Sequence, residues 1–276
     1  VRDLQHETII EPGRFSRQYW RDLWLYRELF YFLAWRDIKV RYKQTVMGVA
    51  WAVVRPVLTM IVFTVIFGNL AGLPSGTAPY PVMVFAALLP WQFFAQSLSE
   101  SSNSLITNVN LITKIYMPRL ILPASTVVVS LVDFLISFAV LVVLMLGYRF
   151  MPDLRILTLP LFLIMAMLAA YGFSLWLCAL NVKYRDFRYI VPFIVQFGLY
   201  ISPVGFSSSV IPANWRLLYS LNPMVGVIDG FRWAILGGDA LFYWPGFFLS
   251  LLLTLAVFAS GLWYFRSTER TFADII

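Results

Sequence analysis

From residue 48 onward the chain is a series of long apolar runs separated by short polar, mostly basic connections. Runs at 48–70, 81–99, 120–146, 157–180, 189–203 and 243–265 approach the roughly 20 residues that a helix needs to cross the hydrocarbon core of a bilayer. The pattern predicts an all-α integral membrane protein with six transmembrane helices. Pro56 and Pro90 fall inside the first two runs and should kink them, because proline removes an interior hydrogen bond. The third run is long enough to cross with tilt, whereas the fifth is short. The fifth leads into 204–240, too polar for a lipid-facing helix yet carrying apolar patches such as 224–228. Non-helical backbone at membrane depth is tolerated only under the cover of protein or water. Pro203, Gly205, Pro212, Pro223 and Gly226 therefore predict re-entrant helices near the outer face, with a surface loop as the competing reading.

Ahead of the first run, residues 20–40 mix Trp20, Trp24, Phe30, Phe32 and Trp35 with Arg21, Asp22, Arg27, Glu28, Arg36 and Asp37. Such a segment is too charged to span and suits an amphipathic helix in the headgroup layer or against a partner subunit. Three regions result: a cytoplasmic segment at 1–47 with this interfacial helix, a transmembrane domain at 48–265, and a cytoplasmic tail at 266–276.

Composition sharpens the class. Hydrophobic residues make up 60% of the chain and charged ones 13%, which excludes an ordinary soluble globule. The net charge of +7 is scattered between apolar runs instead of being gathered on a soluble domain, so anionic lipid is the expected counter-charge and no nucleic-acid partner is expected. One cysteine, Cys178, and one histidine, His6, exclude a disulfide framework and the common zinc motifs, so no metal site is expected. The first 47 residues show no apolar stretch of the signal-peptide kind, and the amino terminus is expected in the cytoplasm. With that orientation sixteen of the 21 Lys and Arg lie inside, and Arg149, Arg155, Arg216 and Arg232 lie outside. The positive-inside rule then places both termini in the cytoplasm.

The chain has no GxxxxGK[ST] loop to cradle nucleotide phosphates, so ATP-driven work would have to come from a separate polypeptide. The absence of GxSxG weakens a hydrolase reading. Two inner connections are candidates for contacting such a motor. Around 100–118, Asn108, Leu111, Ile112, Lys114 and Tyr116 form a short amphipathic stretch before Pro118, suited to docking in a groove of a partner. Around 181–188, Lys183, Arg185 and Asp186 crowd a tight turn that reads equally as partner contact or as ordinary basic anchoring. The tail from 265 is a third candidate. Arg55, Glu100 and Asp133 are intramembrane charges, for which protein or water partners are required. Arg55 and Glu100 should lie at similar depth near the cytoplasmic boundary, where they are candidates to pair.

Five stretches carry a family resemblance: RDIKVRYKQTVMGVAW at 36–51, LITKIYMPR at 111–119, NVKYRD at 181–186, LNPM at 221–224 and ERTFADI at 269–275. As a set, in order over nearly the whole chain, they resemble the permease subunits of type-2 ABC exporters of lipid-linked polysaccharides, closest to O-antigen exporters, with teichoic acid and capsule relatives. The resemblance implies a homodimer of six-helix subunits in the bacterial inner membrane, each joined to a cytoplasmic ATPase that holds the ATP and Mg2+, with no cofactor on this chain. It also implies an interfacial amino-terminal helix, coupling helices in the two inner loops, and a substrate carried on undecaprenyl diphosphate.

A long glycan cannot be enclosed in an alternating pocket, so a continuous channel between two copies is expected. Aromatic faces cover the C–H faces of sugars while leaving hydroxyls wet, and weak repeated contacts allow both capture and release. Phe63, Phe67, Phe85, Trp91, Phe93, Phe94, Phe193, Phe197 and Tyr200 are the candidate lining, set against lipid-facing and interhelical packing. Arg36, Lys39, Arg41 and Lys43 are candidates for the carrier's diphosphate, set against headgroup anchoring. The alternatives are an exporter of drugs or small lipids and, in a different class, a membrane enzyme acting on lipid-linked sugars with Asp133, Glu100 or Asp229 as acid or base.

Overall fold

The structure, a computed structural model, describes residues 17–43, 46–76, 78–184, 186–237 and 242–272, and these are organised as helices and short turns. In chain order they are α1 (Arg17–Leu25), α2 (Arg27–Lys43), α3 (Val46–Phe63), α4 (Tyr80–Thr107), α5 (Val109–Lys114), α6 (Ile121–Gly147), α7 (Leu159–Lys183), α8 (Phe187–Ile201), α9 (Ala213–Tyr219), α10 (Pro223–Leu236) and α11 (Trp244–Thr268). Among the described residues, five helical stretches are long and apolar enough to cross a membrane: Ala50–Leu70, Tyr80–Thr107, Ile121–Gly147, Leu154–Lys183 and Trp244–Thr268. The short fifth run forms α8, whose 15 residues reach about 22 Å at 1.5 Å each, less than the ~30 Å hydrocarbon core.

The bundle is built around α4, which is covered by α6, α7, α10, α3 and α8. Leu88, Phe85, Ala86 and Ala87 on α4 have almost no exposed surface. Next to it, α7 lies between α4 and α11. The α7–α11 crossing is close because both helices present glycine: a Cβ on Gly172 would meet the Phe258 Cα at 2.7 Å, and one on Gly261 would meet the Gly172 carbonyl oxygen at 2.4 Å. Small residues of this kind let membrane helices touch backbone to backbone, where no hydrophobic driving force helps them.

Several boundaries differ from those read off the apolar runs. The Ser/Asn-rich stretch from 99 to 107, read as a connection, continues α4 by about two turns. Its hydroxyls are satisfied inside the bundle: Ser101 Oγ donates to the Pro123 carbonyl at 2.6 Å and Ser104 Oγ to the Ser101 carbonyl at 2.7 Å, and Asn181 Nδ2 donates to the Ser102 carbonyl at 3.0 Å. Polar residues that bond to the preceding turn or to a neighbouring helix cost little in a buried helix, which a hydropathy reading does not register. After Phe63, α3 continues as a π-helix over Thr64–Leu70. There Tyr80 Oη donates to the Gly205 carbonyl at 2.7 Å, and a Cβ on Gly205 would lie 2.6 Å from the Phe67 ring.

Arg232, counted with the outer connections, is not on a surface loop but buried on α10 at 4% exposure. Its guanidinium donates to the carbonyls of Phe206 at 2.6 Å, Val204 at 2.9 Å and Met83 at 3.4 Å. The turn at 202–206 leaves carbonyls without helical partners at depth, and a five-donor fork is the side chain suited to several of them at once.

The segment before the first run folds as two helices. On α2, Leu33 and Ala34 are buried while Tyr31, Phe32 and Trp35 stand exposed, so apolar side chains occupy both sides and the helix is not simply amphipathic. Helix α2 packs on α6. Glu269 after α11 is tied to this region by the Tyr19 hydroxyl, which donates to it at 3.3 Å, and it also accepts from the Arg119 backbone N–H at 3.1 Å and pairs with Arg266 at 2.8 Å.

Candidate functional site

Gln92 and Gln96, at i, i+4 spacing on α4, line a cleft of about 450 Å3 between α3, α4, α6 and α8, and Gln96 donates to Glu100 one turn further along. Helix α8 is held close to it because Gly198 sits against Trp91, where a Cβ would come within 2.5 Å of the indole. Trp51, Trp91, Phe93 and Phe134 supply aromatic wall. Thr59, Gln92, Gln96, Ser99, Ser130 and Ser137 supply uncharged donors and acceptors between them. Few side-chain combinations present so much C–H-compatible face together with neutral hydrogen-bonding groups.

One end of the cleft is closed by an ion cluster. Arg41 from α2 places one terminal nitrogen on Asp133 of α6 at 2.6 Å and the other on Glu100 of α4. Gln96 donates to the same Glu100 carboxylate, and the Tyr42 hydroxyl donates to Asp133. Burial works against the Arg41 charge, but the two carboxylates outweigh it and hold its pKa above the ordinary value. The Tyr42 hydroxyl is likewise pushed up, by burial and by its bond to Asp133. Glu100 is therefore paired with Arg41 and not with Arg55. Arg55 lines the cleft from α3 and, among the described residues, forms no ion pair.

The aromatic candidates separate into groups. Trp91 and Phe93 border the cleft. Phe85 and Phe94 are buried in the core of the single subunit, Phe94 edge-on to Phe173. Phe63 and Phe67 pack on each other and against Gly205, with Phe63 also near Tyr200. Phe193, Phe197 and Tyr200 are more than half exposed along α8, and Trp51, Leu58, Ile61 and Val62 of α3 are exposed as well.

Of the basic set, Arg36 pairs with Asp37 and donates to the Asn108 side-chain oxygen at 3.2 Å, Lys39 stands over the Trp35 ring, and Lys43 is exposed. Leu111 and Ile112 tuck against the apolar cluster around Leu33 and Phe265, whereas Lys114 and Tyr116 are exposed beside them. Lys183 and Asp186 are exposed at the same end, since Asn181 is bonded to the carbonyl of Ser102 and to Asn103 near the end of α4. Arg185 lies outside the described residues. Sequence reasoning missed Tyr42, Gln92 and Gln96; the i, i+4 polar stripe on an otherwise apolar helix was the signal available for the glutamines.

Residues 28–236 match the ABC-2 type transporter family. The chain belongs to that family. The permease is 29% identical over 244 residues to an O-antigen export system permease protein RfbA of Klebsiella pneumoniae, covering 87% of this chain and 92% of the relative. It is 28% identical over 214 residues to a Myxococcus xanthus protein of the same name, covering 77% and 82%. To the polysialic acid transport protein KpsM of Escherichia coli it is 24% identical over 242 residues, covering 85% and 91%. The permease is a membrane protein, a transporter subunit and not an enzyme on its own. The acid–base set of the enzyme reading does not converge: Glu100 and Asp133 share Arg41, while Asp229 sits on α10, which packs near Met83 at the opposite end of α4.

Proposed function

We propose that this chain is the channel-forming permease subunit of an ATP-driven exporter that moves an undecaprenyl-diphosphate-linked polysaccharide of the O-antigen kind across the bacterial inner membrane. The observation that carries the reading is the cleft, in which Trp and Phe faces alternate with glutamine amides and hydroxyls; a sugar chain needs that mixture and a hydrocarbon substrate does not. The names of the relatives support a polysaccharide cargo, with the KpsM relatives keeping a capsule polymer as the second reading.

In this reading α8 completes a sixth crossing and both termini lie in the cytoplasm. The charge count favours that orientation, and more strongly once Arg232 is assigned to the interior of the fold. Two copies place their exposed α3 and α8 faces together, so that Trp51, Phe193, Phe197 and Tyr200 join the two clefts into one path. Two separate ATPase subunits, holding ATP and Mg2+, engage the exposed tips at Lys114–Tyr116 and Lys183–Asp186. The carrier's diphosphate meets Arg36, Lys39 and Lys43 at the cytoplasmic margin, while the charge of Arg41 is already balanced by Glu100 and Asp133.

Complementation of a deletion strain tests the proposal. Bulky replacements in the cleft, Ser130→Phe with Gln92→Leu, should reduce surface polysaccharide at least tenfold with normal membrane insertion, whereas Leu135→Ala on the exposed face of α6 should not. Undiminished export from the filled cleft would overturn the reading.

A further inference from the structure

A second pocket, of about 210 Å3, lies at the end of the bundle opposite α2, between the turn at 207–209, α9, α10 and the start of α11. Its distance from the ion cluster follows from α4: Met83, beneath Arg232, and Glu100 are separated by about 25 Å at 1.5 Å per residue. Asp229, Arg216, Ser208, Ser209 and Ser220 are polar side chains of its lining, and Tyr219, Phe242 and Tyr243 supply aromatic rings. Ser208 Oγ donates to one Asp229 carboxylate oxygen at 2.6 Å, and among the described residues the other oxygen accepts no hydrogen bond. Arg216 donates through Nε to the Ile211 carbonyl at 2.9 Å and through Nη2 to the Ser209 carbonyl at 3.0 Å, leaving three of its five N–H groups for a ligand.

This chemistry is selective. A carboxylate beside the cavity disfavours an anion, and a guanidinium disfavours a metal ion or an amine. A neutral polyol satisfies both, because each hydroxyl can donate to the carboxylate and accept from the guanidinium. Rings on the remaining sides cover C–H faces, and the volume lies below the ~300–1,000 Å3 of sites for drug-sized ligands.

We propose that this pocket is a binding subsite for a single neutral pyranose ring, which holds the glycan at the outer face as it leaves the cleft. Asp229 and Arg216 bind adjacent hydroxyls, and Tyr219, Phe242 and Tyr243 cover the ring. The subsite rests on the polysaccharide reading above and adds to it a place where the polymer is gripped after crossing, opposing backward slip between strokes.

The only cysteine in the chain, Cys178, is buried, so Ser209→Cys places a uniquely reactive thiol at the exposed rim of this pocket. Labelling of the purified full-length variant by a maleimide mass tag would be timed with and without methyl glycosides of glucose, galactose, mannose and N-acetylglucosamine. With a glycoside at about twice its Kd, labelling should slow roughly threefold. Asp229→Asn and Tyr243→Ala, each in the Ser209→Cys background, should abolish that protection; using both keeps the test valid if one fails to fold. An unchanged rate with every glycoside, or protection that survives both replacements, would overturn the subsite. Export measured in the Ser209→Cys strain separates the two ideas: normal export without protection removes the subsite alone, and deletion of the gene without effect on surface polysaccharide removes the underlying reading.

Discussion

Replacing Arg41 by glutamine isolates what the ion cluster does for the fold. One side chain serves two carboxylates, Glu100 and Asp133, and the three side chains are only 26%, 24% and 23% exposed. Removing one partner of a buried pair costs about 3–5 kcal/mol, because the charge left behind is desolvated and unmatched. Here two charges are left behind, but each keeps one donor, Gln96 for Glu100 and Tyr42 for Asp133, and each retains partial contact with solvent. Discounting for that screening gives about 2–4 kcal/mol for Arg41→Gln. At roughly 2–4 °C per kcal/mol for a chain of this size, the melting temperature in detergent should fall by about 5–15 °C. Neutralising all three positions, Arg41→Gln with Glu100→Gln and Asp133→Asn, should recover most of the loss, since a neutral hydrogen-bonded set carries no unmatched charge. Arg41→Lys should fall between, because a single ammonium cannot serve both carboxylates as the fork does. Thermal melts of the purified variants decide the matter. A single replacement within about 0.5 kcal/mol of the parent, or a triple variant no more stable than Arg41→Gln, would refute the reasoning.

Two other expectations follow from the packing. Arg232→Met strips the carbonyls of Phe206 and Val204 of donors placed at 2.6 and 2.9 Å, and at about 1–3 kcal/mol for each unsatisfied buried acceptor the melt should drop clearly, with Arg232→Lys recovering only part; a melt matching the parent would show that water replaces the guanidinium without loss. Gly172→Ala and Gly261→Ala each drive a methyl into backbone atoms of the facing helix and should cost about 1–3 kcal/mol, with the double replacement less than additive because one separation of α7 from α11 relieves both; strictly additive losses would argue that the helices do not touch there.

Much of this protein was legible in one dimension. Apolar runs near bilayer length gave the helices now seen as α3, α4, α6, α7 and α11, because burying backbone in lipid leaves few choices except helix and the side chains must then be apolar over the whole length. The composition of 20–40 marked helix outside the apolar runs, which folds as α1 and α2, and the five short motifs carried the family resemblance. Hydropathy misjudged the end of α4, where Ser101, Ser104 and Asn103 look like a loop until their carbonyl partners are seen. The place of Arg232 was also hidden, since a lone arginine among glycines and aromatics reads as a loop charge.

Which charges meet was decided only in three dimensions. Arg41 and Asp133 are 92 residues apart, and no local pattern could couple them; the docking of α2 on α6 does so, and the reach of Arg41 to α4 takes Glu100 from Arg55. The aromatic candidates were all plausible by residue type, but only helix rotation separates Phe85, sealed in the core, from Trp91 at the cleft and Phe193 on an open face. Sequence determines that a stretch is apolar and helical because that depends on the side chains alone. Which face turns inward depends on what other helices present, and that information belongs to the assembled bundle.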